Sequence, residues 1–164
     1  MVDGPQSIGS QDATTNQENI LDADIVDHLK SLHAGAVDAR NGYLEALEDA
    51  DGKGMTPLFR EMIALHEANA AELARQLTKL NQIPDDDGSF ISIVHKTIMD
   101  VRSVFNGLDE SLIDGEKRNV AKYDDALRQA GLATNIASLL SAQRGKIAQK
   151  IAQMETQKAA HTAS

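Results

Sequence analysis

Apolar residues recur at spacings of three and four along most of this chain, and alternating runs are rare, so the pattern predicts helices throughout. The first helix runs from about Asp22, a candidate cap, to Ala50. Its stripe is Ile25, Leu29, Leu32, Ala36, Ala39, Tyr43 and Ala46, and AspGlyLysGly at 51–54 ends it. Thr56 as cap and Pro57 in the first turn start a second helix, striped by Phe59, Met62, His66, Ala70, Leu73, Leu77 and Leu80, with Pro84 just beyond. A shorter third helix, FISIVHKTIMDVRSVF, opens after Ser89 and closes at Asn106-Gly107. Asp109 caps a fourth, with Leu112, Glu116, Val120, Tyr123 and Leu127 on one face and Gly131 at its end. The fifth starts at Thr134 and turns Ile136, Leu139, Leu140, Gln143, Ile147, Ile151 and Met154 inward.

Helix lengths decide the topology this pattern favours. Helices three and four fused into one rod would reach roughly 60 Å, against roughly 42 Å for the first two, at 1.5 Å per residue. Such a rod would overhang any bundle. The alternative makes residues 83–108 a crossover that returns the chain to the opposite end, leaving helices one, two, four and five as the bundle. The expected domain is residues 21–156, between a disordered arm at 1–20, rich in Gln, Ser, Thr and Asn, and a flexible tail at 157–164.

Composition supports an all-α class. The chain has 164 residues, no Trp, three Phe and two Tyr, and is rich in Ala and Leu. Its lack of Cys removes disulfides, thiolate metal sites and cysteine catalysis, which fits a cytoplasmic setting. The first residues show neither a basic segment nor an apolar run, so no signal peptide is expected, and no run is long enough for a membrane span.

The net charge of −9 is uneven: residues 1–52 carry eleven acids against Lys30 and Arg40, and the remainder is balanced. Nucleic acid is not an expected partner, because phosphate binding needs a basic footprint. The last helix is mildly basic through Arg144, Lys146, Lys150 and Lys158, so the acidic first helix and the basic last helix could attract as neighbours. The Ala-rich faces of helices two and five offer a homodimer contact.

Several segments together resemble a known family: DARNGYLEALE at 38–48, LFREM at 58–62, the stretch from Gly88 to Arg102 containing VHKTIMDVR, and GEKRNVAKYDDAL at 115–127. They are similar to an uncharacterised bacterial family of ferritin-like four-helix-bundle domains, over about Ile25 to Met154. The resemblance implies a ferritin-like four-helix bundle with a short additional crossover helix. Ferritin-like enzymes hold two metal ions with a Glu on each of two helices and a Glu-x-x-His pair on each of the other two. No Glu-x-x-His occurs in this chain: Ile25, Lys30, Ile63, Ser92 and Lys158 stand three residues before the five histidines. An intact di-iron site is therefore not expected, and no cofactor is required.

What remains is a set of polar residues on or beside the stripes. Asp38, His66 and Glu116 fall at similar heights and form either a buried hydrogen-bonded layer that fixes helix register or a single site for iron, manganese or zinc. Tyr43, His95 and Tyr123 are candidates for an outer polar layer. Glu67 is expected to face solvent, as are His28 and His33. DADGKG at 49–54 imitates an EF-hand start, but Lys53 takes a ligand position and Arg60 stands where the bidentate Glu belongs, so it reads as a turn. No nucleophile elbow, P-loop or dinucleotide fingerprint is present, so an enzyme is the weaker expectation. The expected function is a bundle acting through its surface or assembly, and the alternative is a metal or small-molecule binder with a degenerate core site.

Overall fold

The computed structural model of the chain describes residues 8–49, 56–82 and 110–163. They form four helices: α1 (Ile8–Asp49), α2 (Thr56–Lys79), α3 (Glu110–Leu127) and α4 (Thr134–Ala163). No strand occurs among them, so the all-α class holds. The expected crossover helix, with His95, lies outside the described residues, as does the turn expected at 51–54.

Each helix packs against two others. α1 touches α2 and α3, and α4 touches α2 and α3, which leaves α1 opposite α4 and α2 opposite α3 across the core. Chain direction follows from side-chain pairs. Glu61 meets Lys150 while Glu72 meets Gln143, so α2 runs antiparallel to α4. Glu110 with Lys158, Lys117 with Glu155 and Asp124 with Arg144 make α3 antiparallel to α4 as well. Hence α2 and α3 are parallel, and the chain between them must pass from one end of the bundle to the other. A short turn could not do this, since α2 alone is roughly 36 Å long at 1.5 Å per residue.

The core is the predicted stripe with adjustments. Leu29, Leu32, Tyr43, Phe59, Met62, Leu73, Leu77, Leu140, Ile147 and Met154 are almost wholly removed from water, each worth on the order of 1.5–3 kcal/mol of burial for its aliphatic or aromatic body. On α3 the expected Glu116 and Tyr123 are buried together with Ile113 and Ala126, while Leu112, Val120 and Leu127 are half-buried. On α1, His33 is buried, against the expectation that it faces solvent, and His28 is half-buried. α1 has neighbours on two sides, which widens its covered arc beyond one stripe.

Both helix extremities also differ from expectation. α1 begins at Ile8, so residues 8–20 extend the helix, where an arm was expected. Once a helix is nucleated, each further residue adds a hydrogen bond, and this stretch contains no proline. α4 likewise continues to Ala163 through the expected tail, and Glu155 and Lys158 pair with Lys117 and Glu110 of α3. α2 stops at Asn81, whose φ of 58° is left-handed; Asn81 N–H donates to the Thr78 carbonyl and Gln82 N–H to the Leu77 carbonyl. This is a Schellman ending in which asparagine takes the place of the usual glycine. Gly131, at φ 75°, turns the chain between α3 and α4.

The acidic first and basic last helices are not neighbours, because they lie on a diagonal. The α4 cations pair instead with Glu61 of α2 and with Glu110 and Asp124 of α3.

Candidate functional site

His66 sits in mid-α2, where FREMIALHEANAAEL contains no Gly or Pro to interrupt the helix, one turn along from Met62. That phase points it into the core, where it is 1% exposed. Glu116 occupies the equivalent place on α3 and is 2% exposed. His66 Nε2 and Glu116 Oε1 are 2.8 Å apart, so the pair spans the diagonal between two helices that are not neighbours. With Nε2–H donating to the carboxylate, Nδ1 is left buried and without a partner among the described residues. Asn119 Nδ2 lies 3.5 Å from Glu116 Oε2, a long contact.

The other diagonal crosses beside this pair. Tyr43 of α1 stacks on the His66 ring, with centroids 5.9 Å apart and planes 16° from parallel. Its hydroxyl lies 4.0 Å from Met154 Sδ of α4, a weak acceptor. Burial first, and then the adjacent Glu116 charge, hold the Tyr43 hydroxyl far above the usual phenol range, so it stays a neutral donor. All four helices thus contribute to one layer.

A second layer follows further along α2. Tyr123 donates to Gln143 Oε1 at 2.8 Å, and Gln143 Nε2 donates to Glu72 Oε2 at 3.0 Å and to the Asn69 carbonyl at 3.3 Å. Burial and the charges of Glu116 and Glu72 raise the Tyr123 hydroxyl as well. Asn69 Nδ2 is buried without a partner among the described residues, one turn from His66 on the same face of α2.

Of the sequence candidates, the structure joins His66 to Glu116 and sets Tyr43 against them; Tyr123 belongs to the second layer. Asp38 is half-buried on α1 and lines a cleft with Glu116. Among the described residues no three imidazole or carboxylate groups are placed to hold one metal ion. Glu67 faces solvent as expected. Asn69 and Glu72 were missed because each stands beside a stripe position already filled by an apolar residue. Gln143 carried a usable signal, a carboxamide at a core position of the last helix.

No helix among the described residues is long and apolar enough to cross a membrane. Comparison with curated proteins gives no match. The family model described as domain of unknown function (DUF2383) matches residues 24–129. That span takes in Tyr43, His66, Glu116 and Tyr123 together with all of α2 and α3, and the chain belongs to this family.

Proposed function

We propose that this protein is a cytoplasmic ferritin-like bundle that works through its surface or through assembly, and that its buried polar layers set helix register. The parallel α2 and α3, joined by one long connection, support the ferritin-like reading. The observation that carries the functional part is the 2.8 Å contact of His66 with Glu116 across the core; ferritin-like enzymes also gather their metal ligands from side chains that face the bundle core. A dinuclear centre draws on four carboxylates and two imidazoles. The donor set here does not fit one: a single His-Glu pair converges among the described residues, and the sequence has no Glu-x-x-His. Buried polar groups that satisfy one another across a bundle disfavour slipped packings, a role best documented for helix register.

The test is elemental analysis of untagged protein after incubation with ferrous iron, manganese or zinc under reducing conditions, with sedimentation velocity for assembly. Background metal and a homodimer, or a larger assembly through the helical faces, are the expected results. Near-stoichiometric metal that disappears in His66→Leu would overturn the reading.

A second reading, a mononuclear metal or small-molecule site in the core, draws on the unpartnered Nδ1 of His66. It requires metal uptake that Glu116→Gln abolishes while helix content stays unchanged.

A further inference from the structure

Two buried polar atoms take no part in the hydrogen bonds of either core layer. His66 Nδ1 and Asn69 Nδ2 are both without a partner among the described residues, and the two residues are 1% and 2% exposed. Both belong to α2, three positions apart, which puts them on one face with Cβ atoms roughly 5–6 Å from each other. Helical side chains lean toward the N-terminus, so Asn69 reaches back over the turn that carries His66. The Asn69 main chain is tied to α4, because its carbonyl accepts from Gln143 Nε2 at 3.3 Å.

The two atoms have opposite hydrogen-bonding characters. With Nε2–H donating to Glu116, Nδ1 presents a lone pair, whereas the carboxamide nitrogen of Asn69 presents an N–H. The occupant they call for donates to the first and accepts from the second. A cation would face the Asn69 N–H, an anion would face the Nδ1 lone pair, and an apolar group would leave both atoms desolvated and unmet. A water molecule makes one hydrogen bond of each kind, within the range of about two to four that holds a buried water.

We propose that one internal water molecule is bound between His66 and Asn69, donating to Nδ1 and accepting from the Nδ2–H. It joins the first layer, with Tyr43, His66 and Glu116, to the second, with Asn69, Glu72, Gln143 and Tyr123, so that the core holds one polar network along α2. The water also selects the tautomer of His66: Nδ1 must stay bare to accept, which leaves the proton on Nε2, the nitrogen that faces Glu116. The proposal rests on the register-setting reading of the two layers and deepens it, since a shift of His66 away from Asn69 would open the bridge as well as the pair.

The test uses the isotope-labelled, metal-free full chain and NMR. A rotating-frame Overhauser contact should run from water to the carbon-bound Hε1 of His66, a proton that does not itself exchange with solvent. Long-range proton–nitrogen correlation should show the ring protonated at Nε2 alone. Asn69→Leu removes the donor and fills the space, so the water contact should be lost with helix content unchanged. Tyr43→Phe removes the hydroxyl of the ring stacked on His66, whose exchanging proton would mimic water, and should leave the contact in place. The proposal is overturned if the parent shows no contact, if the contact survives Asn69→Leu or vanishes in Tyr43→Phe, or if Nδ1 carries a proton. Should Asn69→Leu fail to fold, the parent spectra and Tyr43→Phe still decide. An absent contact in protein that also takes up no metal ends this proposal alone; near-stoichiometric metal that disappears in His66→Leu ends the register reading and this proposal with it.

Discussion

Replacing His66 by leucine should cost far more than replacing His66 and Glu116 together. In the single variant Glu116 keeps its position at 2% exposure but loses its 2.8 Å partner and is left with the 3.5 Å contact to Asn119 and the Tyr43 hydroxyl. Breaking a buried pair from one side costs about 3–5 kcal/mol, a large part of the roughly 5–15 kcal/mol that holds a domain folded. Glu116→Leu should lose a similar amount by stranding His66, whose Nδ1 already lacks a partner among the described residues. Independent effects would sum to about 6–10 kcal/mol. The double variant, which puts apolar groups of similar volume across the same diagonal, should instead fall within about 2 kcal/mol of the parent. Glu116→Gln, which keeps size and an acceptor oxygen, should lose about 1–2 kcal/mol. Urea unfolding followed by far-ultraviolet circular dichroism gives all four values, provided the slopes agree. A His66→Leu protein within about 1 kcal/mol of the parent, or a double variant that loses the full sum, would refute the closed pair as described.

Gly42→Ala should raise stability by about 0.5–1 kcal/mol, because the new methyl meets no neighbour among the described residues, whereas Gly35→Ala should gain less because Asn119 Oδ1 would lie 3.1 Å from the new methyl; thermal midpoints of the two variants compare them. Both tyrosines are buried with raised hydroxyls, so tyrosinate absorbance should stay absent on alkaline titration until the chain unfolds. The sign follows from linkage: the folded state keeps protons that the unfolded state releases, so this stabilisation is whole below pH about 10 and is lost as pH rises beyond it. A step of tyrosinate absorbance in still-folded protein near pH 10 would contradict it. The hydrogen bond from Arg144 lowers the Asp124 carboxyl below its ordinary value of 3.8. That contribution is present above pH about 4 and drains as pH falls through the depressed value, so Asp124→Asn should flatten the acid limb of the stability profile, as should added salt.

The second helix was the most legible element. Phe59, Met62, His66, Leu73 and Leu77 keep strict phase, and all five are buried as the pattern required. On α3 the expected stripe placed Glu116 and Tyr123 in the core, where they are, but Leu112, Val120 and Leu127 are half-buried while Ile113 and Ala126 go inside, because two neighbours cover a face wider than one stripe. The pairing of His66 with Glu116 was within reach of the sequence once a crossover had set α3 running parallel to α2. Asp38 could be placed only by height, and a half-turn of rotation separates a core ligand from a cleft wall. His33 and Asn69 were hidden for a related reason: periodicity marks the centre of a buried face, while the number of packed neighbours sets its width. The end of α2 at Asn81 rests on a left-handed residue that Pro84 overshadowed in the sequence.

The crossed diagonals have a further consequence when the chain is divided at its long connection. α1 with α2 and α3 with α4 are two antiparallel hairpins, and His66 with Glu116 and Tyr43 with Met154 each reach from one hairpin to the other. The molecule is in effect a tethered heterodimer whose polar centre serves both halves as a recognition code. Two copies that exchanged hairpins would present the same code to each other, so a dimer could form by swapping without a single new contact having to evolve.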